Sequence, residues 1–246
     1  MIRTALALLA LLCTGTAQAV ECHDTVYDTL SYTICSLAPD DDIRLFLNGA
    51  NASPLGSFRA VEAAHIGQSL LFAMNAGMYQ PDRSPVGLYI EGGVEQHRLI
   101  TSDGPGNFGL LPNGVLCFGS DAPRVYETLA YRSAAPTCRY ATQSGPMLVI
   151  DGALHPRFLA HSTSYYYRNG VGTGGGQTVF AISNQPVNFH QFGRLFRDHL
   201  GLDQALFLDG NISRLHAPSL GRSDLGFTMG PIIGVLSTVD PSAAGD

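Results

Sequence analysis

The sequence predicts an α+β fold, a single hairpin-rich domain with a mixed or antiparallel sheet core and a few helices. Three observations carry that expectation. Short apolar runs recur in pairs around tight glycine-containing turns, helical periodicity emerges at only two places, and the 28 glycines and 14 prolines are spread as punctuation rather than gathered into a linker. With 45% hydrophobic and only 14% charged residues, the 246-residue chain is too apolar to stay disordered.

In chain order, residues 1–19 read as an export leader rather than as part of the fold. Arg3 precedes an apolar run over residues 5–12, and Ala17-Gln18-Ala19 is a small-x-small cleavage site, the pattern of a secretory signal peptide. That run falls far short of the roughly 20 residues needed to span a bilayer, and no later stretch reaches that length. Residues 20–246 then make up the mature domain, expected to be secreted or periplasmic. It retains four cysteines, Cys22, Cys35, Cys117 and Cys138. An even number in an exported chain suggests two disulfides, with nearest-neighbour pairing the first choice among three connectivities. A zinc site would want close Cys-x-x-Cys pairs, which this chain lacks.

A first helix is expected over residues 58–65, behind a Ser57 cap and before Gly67. Runs 86–90 and 96–100 flank Glu91-Gly92-Gly93, and runs 108–111 and 115–118 flank Pro112-Asn113-Gly114; both read as hairpins. Run 147–150 enters a third turn at Asp151-Gly152. The glycine cluster 170–176 leads into a β-type run, 178–182, and so reads as a hairpin tip, since a phosphate loop would open a helix there. A second helix over residues 189–200 places Phe189, Phe192, Leu195 and Phe196 on one face, between caps at Asn188 and Gly201.

All 14 basic residues are arginine, which removes every lysine-dependent chemistry: pyridoxal Schiff bases, P-loops, Ser-x-x-Lys acyl-enzymes and nucleotidyl-lysines. The net charge of -6 argues against nucleic acid or an anionic membrane surface as the main partner. There is no nucleophile elbow and no His-Glu-x-x-His, and the eight histidines are scattered, His155 and His161 reading as loop or surface residues. No cofactor and no metal is called for.

What remains is a set of polar residues at the glycine-rich ends of apolar runs, where a strand can hand a side chain to a cleft. Asp209 follows Leu206-Phe207-Leu208 and precedes Gly210, with Ser213 close behind; Asn75 stands in the same position after Leu71-Phe72-Ala73-Met74 and before Gly77. A turn or capping role is the alternative for Asp209. Arg168-Asn169-Gly170 sets a planar cation among small residues, able to meet a phosphate or carboxylate, or else to be an ordinary surface charge. Gln143-Ser144-Gly145 adds small residues and amides that could line an anion site; Ser144 has no adjacent base to make it a nucleophile.

These segments resemble the phosphodiester glycosidase domain, whose animal member is the lysosomal uncovering enzyme. The resemblance rests on Phe72 to Tyr79, Asp103-Gly104-Pro105-Gly106-Asn107-Phe108, Pro112-Asn113-Gly114-Val115, Gln143 to Leu148, Arg168 to Gly172 and Leu208-Asp209-Gly210, in the family's order. The better-known branch carries Asn-Gly-Gly-x-Phe and Asp-Gly-Gly-x-Ser where this chain has Asn75-Ala76-Gly77-Met78-Tyr79 and Asp209-Gly210-Asn211-Ile212-Ser213. The anchors match and the interiors differ, so the resemblance implies the reaction class more than the sugar.

That class is hydrolysis of a sugar-1-phosphodiester, small or on a glycan, at its glycosidic bond. Phosphate monoester is a stable anion, with a second pKa of about 6, and needs less proton assistance than an alkoxide leaving group. The implied roles are Arg168 on the phosphate, Asp209 as main carboxylate, Asp103 as second carboxylate, and Asn75 and Ser213 as orienting groups. Gly77, Gln143, Ser144, Gly145, Asn169 and Gly210 are expected to line the substrate. Two other readings stay open: P–O cleavage, which would want a metal cluster, and a non-catalytic module binding a glycan phosphate.

Overall fold

The computed structural model describes residues 20–210 and 212–237. The leader expected over residues 1–19 lies outside them. Strands β1 (Glu21–Tyr27) and β2 (Leu30–Ser36) form a hairpin bridged by a Cys22–Cys35 disulfide. Then come β3 (Asp42–Phe46), helix α1 (Phe58–Ala64), β4 (Leu70–Asn75), and a short hairpin of β5 (Tyr89–Glu91) and β6 (Val94–His97). Next are β7 (Gly114–Phe118), β8 (Arg124–Glu127), α2 (Thr128–Ala134) and β9 (Tyr140–Ser144); a Cys117–Cys138 disulfide ties the chain entering β9 to β7. Hairpins β10 (Met147–Ile150) with β11 (Ala153–Leu154), and β12 (Asn169–Gly174) with β13 (Gln177–Ser183), lead to α3 (Phe189–Arg194). A π-helical turn, Leu195–His199, extends α3 before β14 (Gln204–Asp209), β15 (Leu215–Ala217), β16 (Arg222–Ser223) and β17 (Ile232–Leu236).

The strands build three sheets, ordered β1-β2-β13-β12-β14-β10-β11, β16-β15-β4-β17-β3 and β6-β5-β9-β7-β8. Among the described residues every pairing of named strands is antiparallel, so the α+β expectation resolves to a sheet-rich, antiparallel form. The inner faces of all three meet in one apolar cluster that includes Phe72 and Ile233, Leu116 and Phe118, and Phe180, Leu206 and Leu208. Strand β14 is covered on both faces: Leu206 and Leu208 enter that cluster, while Ala205 and Phe207 pack in the layer that contains Phe192 and Phe196 of the α3 segment. A continuous apolar run ending in one aspartate is what such a strand requires.

Local signals explain most boundaries. Ser57 caps α1 by accepting from the Ala60 N–H, and Asn188 forms a capping box with Gln191 at α3. The glycine cluster divides: Gly175 and Gly176 form the tip, at φ 56° and 79°, whereas Gly172 lies within β12. A Cβ on Gly172 would stand 2.7 Å from both Leu202 and Phe196, so the glycine is there to let the α3 segment lie on the strand. The hairpin expected from runs 108–111 and 115–118 does not form. Buried Asn113 donates to Phe108 O and accepts from the Thr128 hydroxyl, curling the first run into turns, and β7 pairs with β8 and β9 instead.

Candidate functional site

The topology brings polar ends of strands from two sheets together against β9 of the third. β4 terminates at Asn75, β14 terminates at Asp209, and β12 begins at Asn169, which pairs with Asp209 across a register shift. Asn75 Oδ1 accepts from the Arg214 N–H at 2.8 Å, which fixes its amide so that Nδ2 donates to Asp209 Oδ2 at 3.4 Å. Asn169 is held as tightly: Oδ1 accepts from the Asp209 N–H at 2.9 Å and Nδ2 donates to Asn75 O at 3.1 Å. The second Asp209 oxygen, Oδ1, accepts from the Gly210 N–H at 2.6 Å. These contacts fix the position of the carboxylate.

Arg168 was expected to stand among small residues with little to shield it, but among the described residues it is the largest fully buried side chain, only 1% exposed. Its Nε donates to Val187 O and its Nη2 to Ser164 O, both at 2.9 Å. Nη1 is buried without a hydrogen-bond partner, and among the described residues no carboxylate forms an ion pair with the guanidinium. Its plane caps a column of rings: the Arg168 Cζ lies 3.7 Å from the Phe189 centroid, Phe189 stacks on Phe158, and Phe158 stacks on His155. Desolvation lowers the Arg168 pKa to about 10, which leaves it cationic at neutral pH. A Cβ on Gly210 would sit 2.8 Å from the Phe207 ring and 3.6 Å from Nη1, so the residue next to Asp209 must be small for the chain to pass over Phe207 and Arg168.

The other sequence candidates divide into scaffold and surface. Gln143 is consumed by the fold: Oε1 accepts from the Leu88 and Ile100 amides and Nε2 donates to Ile100 O. Ser144 is buried and donates to Leu208 O, securing the strand that carries Asp209. Gly77 passes over β9, where a Cβ would come within 3.0 Å of Thr142 Oγ1, and at Gly145 it would meet Asn113 at 2.6 Å. Ser213 donates to Tyr167 O or Asp209 O and closes the turn after Gly210. Asp103 is exposed on the loop that follows Ile100, with no hydrogen-bond or ion-pair partner among the described residues. His155, expected in a loop or on the surface, is buried; it accepts from the Arg157 N–H at Nδ1 and donates from Nε2 to Leu111 O, and burial lowers its pKa.

Sequence reasoning missed two groups. Arg214 is buried with its guanidinium on backbone carbonyls, Nη1 on Phe227 O at 2.8 Å and Nη2 on Asp224 O at 2.8 Å, and desolvation lowers its pKa. Tyr79 closes the Asn75 motif, and its phenol is pushed up by burial and by the charge of Asp209. The position of Tyr79 four residues after Asn75 was a usable signal; Arg214 offered none, because its partners lie on a later loop. Beside this network opens a cleft of about 450 Å³ bordered by Gly210, Ser213 and Arg214 on one side and by Tyr165 to Tyr167, Leu225 and Phe227 on the other. A buried guanidinium without a carboxylate partner, near one fixed carboxylate, suits an anionic ligand that reacts at a neighbouring carbon.

Comparison with known proteins agrees with that reading of the fold. The catalytic domain of the zebrafish N-acetylglucosamine-1-phosphodiester α-N-acetylglucosaminidase, in a form auto-inhibited by its pro-peptide, superposes with a TM-score of 0.59 at 13% identity, covering 89% of this chain and 82% of that one. A protein of Burkholderia pseudomallei K96243 superposes with a TM-score of 0.56 at 11% identity, over 85% of this chain and 74% of its own. The uncharacterized protein YigE of Escherichia coli (strain K12) is 33% identical over 191 residues, 76% of this chain and 75% of the relative. The phosphodiester glycosidase family model matches residues 68–216, a span that holds Asn75, Arg168, Asn169 and Asp209. The chain therefore belongs to the phosphodiester glycosidase family.

Proposed function

We propose that this chain is an exported hydrolase, with its leader over residues 1–19 and its catalytic domain over 20–246, that cleaves the glycosidic bond of an N-acetylglucosamine-1-phosphodiester or a close analogue. The observation that carries the reading is the unpartnered Nη1 of buried Arg168 beside the Asp209–Gly210 turn. A buried guanidinium nitrogen left without an acceptor is costly, and a phosphate oxygen supplies one. Water adds to the anomeric carbon while the carbon–oxygen bond to phosphate breaks, and the bonding pair leaves with the phosphate monoester. Arg168 stabilises that leaving charge; Asp209 supports the positive charge on the sugar or takes the water proton. Asn75 and Asn169 hold Asp209, Ser213 and Gly210 shape its turn, and Gln143 with Ser144, Gly145 and Gly77 frames the strand beneath. Asp103, on the loop that Gln143 pins at Ile100, is the second carboxylate.

Turnover of such a substrate in ¹⁸O-labelled water is the test. Label in the released sugar, with Asp209→Asn and Arg168→Ala inactive and a chelator without effect, supports glycosidic cleavage at this site. Label in the phosphate means P–O cleavage, and absence of turnover across a panel of sugar-1-phosphodiesters leaves a binding module.

A further inference from the structure

We infer that the cleft beside Asp209 is a subsite for an apolar aglycone, so that the preferred substrate is a sugar-1-phosphodiester whose far side carries an alkyl chain; the inference rests on the phosphate placement at Arg168. Among the described residues, five of the large apolar side chains left in water gather here: Tyr165, Tyr166, Tyr167, Leu225 and Phe227. Leu225 is 92% exposed and Phe227 79%; Ile66 and Leu159 are exposed too, but these five stand together around one cleft.

Their exposure is enforced. Tyr166 is locked by a two-way backbone bridge to Val187, and Tyr167 O accepts from Ser213 Oγ. Across the cleft, the Arg214 guanidinium grips Asp224 O and Phe227 O and so holds Leu225 and Phe227 at the rim. A buried polar network thus presents two apolar walls in fixed positions, which lowers the ordering cost of binding. The cleft has one polar end: the buried Arg168 Nη1 lies behind Gly210, 3.6 Å from where a Cβ on that glycine would sit, and the apolar side chains lie beyond. An alkyl phosphate has the same polarity in the same order, whereas a sugar ring alone would leave Leu225 without a matching face. Tyr166 links the two ends, since its ring lies 5.4 Å from the Arg168 Cζ.

The experiment is calorimetric and needs no turnover. The mature chain is titrated with methyl phosphate and with hexyl phosphate, alongside a Leu225→Ser/Phe227→Ser double variant and Arg168→Ala. Burial of even two of the additional methylenes is worth about tenfold in affinity, so wild type should prefer the hexyl ester at least tenfold. That ratio should collapse to within about twofold in the double variant, while Arg168→Ala weakens both ligands and keeps the ratio. Equal affinities in wild type, a ratio that survives the double substitution, or failure of both phosphates to bind each overturns the inference. A hexyl preference in a chain that turns over no sugar-1-phosphodiester upholds the subsite and sinks the glycosidase reading alone.

Discussion

The two ends of α3 carry two arginines in opposite electrostatic settings. At the first residue of the helix, the Phe189 ring lies against Arg168, buried, bonded only to neutral carbonyls, with one nitrogen unpartnered. At its last residue, half-exposed Arg194 meets Asp28 at 2.7 Å, Asp198 at 3.1 Å and the Tyr27 hydroxyl at 2.9 Å. Hydrogen bonding to Asp198 raises the Arg194 pKa, whereas desolvation lowers that of Arg168. The fold neutralises Arg194 and leaves Arg168 without a carboxylate partner among the described residues. An unneutralised buried cation opposes folding, and its presence is evidence of a ligand rather than of stability.

The comparison would break first at Asp209. If the Arg168 end is a catalytic centre, Asp209→Asn lowers kcat/KM by at least about 10³-fold in a steady-state assay, because the neutral amide cannot face positive charge on the sugar. The variant still folds, at a cost of about 1 kcal/mol, since an amide NH₂ group must now face the Asn75 or Gly210 donor. A loss below tenfold would remove Asp209 from the chemistry.

Arg168→Lys sharpens the contrast next. An ammonium cannot lie flat on Phe189, bond Val187 O and Ser164 O, and still reach a phosphate; kcat/KM should fall about 10²-fold, and stabilisation by inorganic phosphate in thermal melts should vanish. Arg194→Lys should leave both readouts within about twofold. Equal effects of the two substitutions would dissolve the distinction between the helix ends.

How far this site was legible follows from the range of the contacts involved. Asn75 and Asp209 stood out because each ends an apolar run, a pattern carried within a few consecutive residues. Helix α1 and the start of α3 were legible for the same reason, through the Ser57 and Asn188 caps. Arg168 was visible as a cation near glycines, yet its burial came from Phe189 and Phe207, distant in sequence. Gln143 looked like a ligand contact and is scaffold because Ile100, 43 residues earlier, uses its amide. The strand expected over 108–111 failed similarly, when Thr128 on α2 helped Asn113 to close a turn. Pattern locates strand ends, and long-range pairing decides what their side chains do.

Asn169→Ala probes the support beneath Asp209. It strands the Asp209 N–H and Asn75 O without partners in a fully buried position. Stability should fall by about 1–3 kcal/mol in urea titration, with kcat reduced more than substrate affinity because the carboxylate loses its placement. An unchanged kcat would show that the remaining contacts of Asp209 suffice to place it.

The smallest effect belongs to the outer end of α3. Asp198 is held down to about 2, first by its hydrogen bond to Arg197 and then by Arg194. Its folded value lies below the usual carboxylate value of about 4, so the stabilisation is complete above about pH 4 and disappears as pH falls through about 2. Because the cluster is partly exposed, it contributes less than about 1 kcal/mol, and less again at high salt. An Arg194→Ala/Arg197→Ala variant should therefore melt slightly below wild type from neutral pH down to about 4, converge with it toward pH 2, and keep kcat/KM within about twofold. A gap that widens on acidification would mean that these cations act on the fold by some route other than Asp198, and a large loss of activity would mean that the outer end of α3 is coupled to the Arg168 end after all.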